Sequence, residues 1–79
     1  MDLHEAIVKR INQICKDKNL SICDISLKAG MSPSNIYALI KMRTKNSKIN
    51  TIQKFCEGAK ITLAEFFTSS LFDDVQSED

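Results

Sequence analysis

The chain has 79 residues, of which 43% are apolar and 27% are charged, with only two glycines and one proline. A chain of this length and composition folds around a single small core, which excludes both a disordered protein and a large catalytic cleft. The net charge of +1 is unevenly distributed, because the last seven residues hold four acids and no base while residues 1–72 carry 11 bases and six acids. A basic body of this kind attracts polyanions.

The scarcity of glycine and proline, together with the lack of alternating β-branched residues, predicts an all-α fold. No segment approaches the roughly 18 consecutive apolar residues of a membrane span. The N-terminus, with Asp2, His4 and Glu5, lacks the pattern of a signal peptide. We therefore expect a cytoplasmic protein that makes no contact with a membrane.

The residues that most often carry chemistry are few and scattered. The three cysteines, Cys15, Cys23 and Cys56, form no CxxC pair, and His4 is the one histidine. This set cannot supply four clustered ligands, so we expect no metal site, no cofactor, and reduced thiols in or near the core. A nucleophile needs a base within reach, so the sequence favours no catalytic residue and no enzyme.

The first two helices are marked by an apolar stripe and by capping residues. Four apolar residues at helical spacing predict a first helix over residues 2–18: Leu3, Ile7, Ile11 and Ile14. Asn19 suits the end of that helix. Ser21 is a good N-cap for a second helix, and Gly30 provides the left-handed residue that ends it after only two turns.

The third helix is expected to begin at Pro33, because Ser32 can cap it and the first helical position needs no amide donor. It runs to about Met42. Residues 43–47 contain no apolar side chain and are predicted to form a basic loop. One side of the third helix faces the core, and the other shows four residues to solvent: Ser34, Tyr37, Ala38 and Lys41.

Two further helices follow the basic loop. The fourth ends near Gly58 and is predicted from four apolar residues at helical spacing: Ile49, Ile52, Phe55 and Cys56. Residues 62–65, with the sequence Thr-Leu-Ala-Glu, form a capping box that starts a fifth helix.

The folded domain is expected to span residues 1–70, and the acidic tail at 71–79 is expected to be disordered. The end of the chain nevertheless carries more large apolar groups than one short helix can bury: Phe66, Phe67, Leu71 and Phe72. These side chains either pack back on the first helix or form the interface of a symmetric dimer. We favour the dimer interface.

A longer first helix is followed by two short helices, which are separated by Gly30 and Met31. The second of these short helices begins with the sequence Ser-Pro-Ser-Asn. Together with residues 51–56 and 61–67, this arrangement resembles the lambda-repressor/Cro-like helix-turn-helix regulators over about residues 7–68. The resemblance implies a compact five-helix DNA-binding domain in which helices 2 and 3 form the helix-turn-helix. The third helix would lie in the major groove of duplex DNA, and the second would cross the phosphate backbone.

The resemblance also assigns roles to individual residues. Five positions on the third helix match those that read base edges in the family: Ser34, Asn35, Tyr37, Ala38 and Lys41. Five others are candidates to contact phosphates and to supply affinity that does not depend on sequence: Ser21, Ser32, Arg43, Lys45 and Lys48.

Several positions depart from the family pattern. Ile22 stands where the family commonly has a glutamine that braces the backbone contact, and Pro33 occupies the leading base-reading position without a side-chain donor. Cys15 and Ile40 stand where many members pair an arginine with a glutamate. Because both partners are changed together, an apolar contact can replace that ion pair.

We therefore expect a sequence-specific regulator of transcription of bacterial or phage type, most simply a repressor, that binds a double-stranded operator as a homodimer. Its half-site centres would lie about 34 Å apart, one turn of DNA. One alternative is a protein-interaction module that keeps the fold but has lost DNA binding, which the modest charge, Ile22 and Pro33 favour. Another is an antitoxin whose acidic tail folds on a protein partner.

Overall fold

A computed structural model describes residues 1–41 and 48–76. Within these ranges the chain forms five α-helices and one short 3-10 turn, with no strand, so the predicted all-α, five-helix fold is confirmed. None of the helices in the described ranges has the length and apolar content needed to cross a membrane. The elements are α1 (Leu3–Lys18), α2 (Ile22–Ala29), α3 (Pro33–Lys41), α4 (Ile49–Ala59), α5 (Leu63–Phe67) and the terminal 3-10 turn (Ser70–Phe72).

Three helices end in the same way, on a residue in the left-handed conformation. Asn19 ends α1 with φ of 53°, Gly30 ends α2 with φ of 68°, and Lys60 ends α4 with φ of 61°. At each end, the amide of the residue after the left-handed one donates to the carbonyl oxygen five residues earlier in the chain, as Met31 does to Ser26. This pattern is the Schellman motif. The ends predicted at Asn19 and Gly30 are confirmed, whereas α4 continues past Gly58 to Ala59. The predicted end of α3 near Met42 and the predicted loop at 43–47 lie outside the described residues.

One apolar core joins all five helices. Ile25 of α2, Ile36 and Leu39 of α3, and Phe66 of α5 are buried against it. α4 lies at the centre, because it packs on each of the other four helices. The remaining buried members come from α1 and α4: Ile7, Ile11, Ile14, Ile52, Phe55, Cys56 and Ala59.

The closest helix packing in the described chain is that between α2 and α4, at Gly58. A Cβ on Gly58 would collide with the backbone carbonyl oxygen of Ile25 and would lie 2.9 Å from its Cγ2. Residue 58 must therefore be glycine because α2 lies so close to it, not because α4 ends there. Ser26, the next residue of α2, is fully buried, and its hydroxyl has no hydrogen-bond partner among the described residues.

The chain stays folded beyond residue 70. The terminal 3-10 turn packs on α1, and the Phe72 ring lies 5.0 Å from that of Phe67 and 6.2 Å from that of Phe66, between centroids. The Gln76 amide donates to the carbonyl oxygen of Met1 at 3.2 Å. The expectation of a disordered tail from residue 71 is thus corrected for 71–76, because aromatic packing holds this segment, and residues 77–79 lie outside the described residues.

Arg10 fastens α5 to α1. Its Nε donates to the carbonyl oxygen of Phe66 at 2.7 Å, and its Nη2 donates to that of Glu65 at 2.8 Å. A guanidinium satisfies the last carbonyls of a helix and complements the negative end of its dipole. A helix of only five residues therefore keeps a defined position on the core.

Gly58→Ala tests the close packing of α2 on α4. Alanine favours a helix over glycine by about 1 kcal/mol, but overpacking a core typically costs about 1–3 kcal/mol, occasionally more. Because the clash here is with backbone that cannot rotate away, we expect a net loss in the free energy of unfolding, measured by urea titration. Glu57→Ala, at the exposed neighbouring position, should change it little. A Gly58→Ala protein as stable as the wild type would show that the helices are not in such close contact.

Candidate nucleic-acid interface

α2, the turn after it and α3 form a helix-turn-helix. The turn is held by the Schellman hydrogen bonds at Gly30 and by Met31, which is half-buried against the core. The Ser32 hydroxyl accepts from the Ser34 amide at 3.3 Å and lies 2.8 Å from the Ser34 hydroxyl. Ser32 thus satisfies an amide of the first turn of α3, in the capping role expected of it.

α3 has one buried side and one exposed side. Ile36 and Leu39 are buried and fix the helix on the core. The five residues predicted to read bases are all exposed, and four of them share a narrow stripe at helical spacing while the fifth lies at its edge. We call this set the α3 face: Ser34, Asn35, Tyr37, Ala38 and Lys41.

The start of α2 differs from the expected phosphate contact. Ser21 is exposed and caps α2: its hydroxyl accepts from the Asp24 amide at 3.0 Å, and the Asp24 carboxylate accepts from the Ser21 amide at 3.0 Å. Within the first turn of α2, the amides of Ile22 and Cys23 take no part in this capping box. It also places a carboxylate at the helix end that was expected to approach a phosphate.

Asp24 is held in its ionised form by this arrangement. The hydrogen bond from the Ser21 amide, followed by that from the Ser21 hydroxyl, keeps the pKa of the Asp24 carboxyl below its ordinary value. The positive end of the helix dipole, at the N-terminus of α2, also favours a negative charge at this place. Sequence analysis assigned Asp24 no role, although its place three residues after a serine cap is the signal of a capping box.

The other predicted phosphate contacts are only partly described. Lys48 is exposed and precedes α4 as its N-cap, with no side-chain hydrogen bond to the helix. Ser32 is exposed in the turn before α3. Arg43 and Lys45 lie outside the described residues. Among the basic residues predicted to contact DNA, the described chain therefore includes two: Lys41, at the end of α3, and Lys48.

The three cysteines lie in different environments. Burial raises the pKa of the Cys56 thiol to about 11 and also raises the pKa of the half-buried Cys15. Cys23, by contrast, is exposed, which corrects the expectation that all three lie in or near the core. It is on the outer side of α2, because Ile25 and Ser26 define the inner side. The described residues contain no cluster of histidine, cysteine and acidic side chains that could hold a metal ion.

Tyr37 has a neighbour that the sequence did not reveal. The adjacent Cys23 thiol raises the pKa of the Tyr37 phenol, and Cys15 adds a smaller effect in the same direction. The phenol is therefore influenced by thiols on α1 and α2, while 40% of the residue stays exposed. Spacing along the chain could not show this, because the three residues come from three helices.

The departures from the family pattern are accommodated by packing. Cys15 and Ile40, at the positions where many members carry an ion pair, are both half-buried against the core. Ile22 is also half-buried there, so it does not replace the polar contact of the glutamine that is usual at its position.

The residues predicted to form a dimer interface divide into two groups. Phe66 is fully buried within its own chain, so its assignment to an interface is corrected: it belongs to the core. Phe67 is 36% exposed, and Leu71 and Phe72 are half-buried. Leu63, one turn before Phe67, is also 36% exposed and had been assigned no interface role, although its spacing of four from Phe67 places both on one side of α5.

A five-helix domain in which a capped helix, a tight turn and a helix with an exposed polar face follow one another is a helix-turn-helix DNA-binding domain. The family model described as the Cro/C1-type HTH DNA-binding domain matches residues 10–70. The chain belongs to this family, which is one of DNA-binding regulators and not of enzymes.

A solved structure described as the crystal structure of the prophage Lp1 protein 11 is similar to this chain. The two share 26% sequence identity and superpose with a TM-score of 0.78 over 95% of this chain and 100% of the other. A comparison with curated proteins found no match.

Asp24→Asn tests the capping box at the start of α2. Because the Ser21 amide lowers the folded-state pKa of Asp24, the ionised form stabilises the fold above the ordinary carboxyl pKa of about 3.9. That contribution is lost as the pH falls through the lower, folded-state value. We expect the variant to be less stable than the wild type in urea titrations at neutral pH and to match it in strong acid. Equal stabilities at neutral pH would contradict a stabilising role for the carboxylate.

Proposed function

We propose that this chain is a sequence-specific repressor of transcription that binds duplex DNA with α3 in the major groove and α2 across the phosphate backbone. The observation that supports this most directly is the α3 face, whose side chains are not needed to build the core. Ile36 and Leu39, with the half-buried Ile40, hold α3 in place, so the opposite side is free to vary with the DNA sequence it contacts.

The side chains of the α3 face have suitable chemistry for base edges. Ser34 and Asn35 carry donors and acceptors in the first turn of the helix, Ala38 offers a methyl group to thymine, and Lys41 can bond guanine or a phosphate. Lys48 is exposed before α4 and would neutralise a phosphate, with Arg43 and Lys45 proposed for the same role.

A homodimer is the proposed assembly. Leu63 and Phe67 form the exposed apolar side of α5. The half-buried Leu71 and Phe72 belong to the terminal 3-10 turn, and the Phe72 ring lies 5.0 Å from that of Phe67, between centroids. A twofold contact through such a surface would pair two α3 faces on one operator. Their half-sites would then be centred about 34 Å apart.

A protein-interaction module remains the second candidate. The Asp24 carboxylate lies at the start of α2, where a phosphate would have to approach, and Ile22 packs inward without offering a polar contact. Both features weaken DNA binding through α2. A protein partner reached through the acidic tail is less favoured, because residues 71–76 already pack on their own chain.

Selection of bound sequences from a random duplex pool tests the proposed function. The selection is best done at about 150 mM salt, where weak attraction to phosphates is screened. We expect a palindromic motif with two half-sites. Failure of the folded protein to select any motif would contradict the proposal and favour the interaction module.

Two kinds of variant separate base reading from phosphate contact. Ser34→Ala or Asn35→Ala should relax preference at one position of the half-site, at a cost of about 1–3 kcal/mol on the preferred sequence. Lys48→Ala should weaken binding to all sequences about equally. It should also reduce the slope of log affinity against log salt concentration by about one. Binding to labelled duplexes over a range of salt concentrations measures both effects. A uniform loss in all three variants would show that the α3 face does not read sequence.

A further inference from the structure

Arg10 joins the end of α5 to α1 through a guanidinium that donates in three directions. Its Nε donates to the carbonyl oxygen of Phe66 at 2.7 Å, and its Nη2 donates to that of Glu65 at 2.8 Å. Its Nη1 donates to the side-chain oxygen of Gln13, one turn further along α1. The rigid, planar fork of the arginine is therefore oriented by α1 itself and binds two successive carbonyls of α5.

α5 depends on contacts of this kind for its orientation. It has five residues, and an isolated helix shorter than about 12 residues is marginal in water. The Thr68 hydroxyl donates to the Ala64 carbonyl oxygen at 2.7 Å, but this bond lies within one short segment of the chain. The bonds from Arg10 instead join residues 55 and 56 apart in sequence. They therefore resist rotation and sliding of α5 on the core.

The orientation of α5 decides which side chains the chain presents at this surface. Phe66 is fully buried and anchors the helix on the core, while Leu63 and Phe67 are each 36% exposed on the outer side. The Phe67 ring lies 5.0 Å from the Phe72 ring, between centroids. A small rotation of α5 about its axis would move Leu63 and Phe67 together and change the apolar surface that Phe67 forms with Phe72.

The charges around this surface suit a second copy of the same chain. Glu65 is the one charged residue of α5, and its carboxylate accepts from the Thr62 amide at 3.1 Å in the capping box. The Arg10 guanidinium, bound at the Glu65 carbonyl, supplies the opposite charge nearby. A twofold contact brings a surface against its own copy, so a surface with balanced charges avoids repulsion between like charges.

We propose that Arg10 is a positioning residue for the homodimer: by fixing the rotation of α5 on α1, it presents Leu63 and Phe67 in the arrangement that a second copy recognises. This inference rests on the proposed function and deepens it. A surface that is already held in its binding arrangement costs less free energy to order on association. Arg10 therefore strengthens the dimer through the order of α5.

The dimer dissociation constant of the full chain, measured by sedimentation equilibrium, tests this role. We expect Arg10→Met, which keeps an apolar stem and removes all donors, to raise that constant by about tenfold, because a loosened segment must then be ordered on association. Arg10→Lys keeps the charge but not the planar fork, so it should give an intermediate value. Gln13→Ala is the matched control on the same helix, because it leaves both bonds to α5 in place and should keep the wild-type constant.

Ile25→Val separates positioning from a general loss of stability. Ile25 is fully buried on α2, and removing one methylene there lowers the free energy of unfolding while both bonds from Arg10 to α5 stay in place. We expect this variant to unfold at a lower urea concentration and to keep the wild-type dimer constant. All variants are compared where circular dichroism shows that they are folded. On DNA, Arg10→Met should keep its affinity for a duplex with one half-site and lose affinity for the palindrome.

An Arg10→Met protein with the wild-type dimer constant would overturn the role of Arg10, and Arg10→Lys decides the matter in the same way if the methionine variant does not fold. An Ile25→Val protein whose dimer weakens as much would also overturn it, because the effect would then follow stability alone. A wild-type chain that stays monomeric, and binds the palindrome no more tightly than one half-site, would instead contradict the proposed homodimer and with it the role of Arg10.

Discussion

The close approach of α4 to α2 is the constraint on which the rest of this structure depends. Gly58 allows the backbone of one helix to lie against the Ile25 carbonyl of the other, with no side chain between them. α3 follows α2 through a turn of three residues, so the position of α2 on α4 also fixes where the α3 face points. A shift of α2 would move the start of that helix and the α3 face together, although Gly58 itself lies in another helix.

Local hydrogen bonds explain why the helix boundaries could be predicted. The capping boxes at Ser21 and Thr62 and the left-handed end at Gly30 each involve residues at most five apart, so the sequence contains all the partners. The α3 face could be predicted for a similar reason, because helical spacing separates its residues from Ile36 and Leu39. The resemblance to a family added the roles that spacing alone cannot assign.

Contacts between distant residues could not be predicted in this way. Arg10 binds a carbonyl 56 residues away, and Gly58 meets Ile25 on another helix, so nothing in either neighbourhood signals the contact. The sequence shows that the apolar residues at the end of the chain are too many for one short helix to bury. The choice between α1 and a second copy depended on tertiary packing, which buries Phe66 and brings Phe72 against it.

The most direct test of DNA recognition by the helix-turn-helix is an amide NMR titration of the protein with a short DNA duplex at about 50 mM salt, where phosphate contacts are strong. We expect the largest shifts at residues 34–41 and in the first turn of α2, with small changes in α5 and the terminal 3-10 turn. Shifts confined to α5 and that turn, or no shifts at all, would contradict binding of DNA through α3.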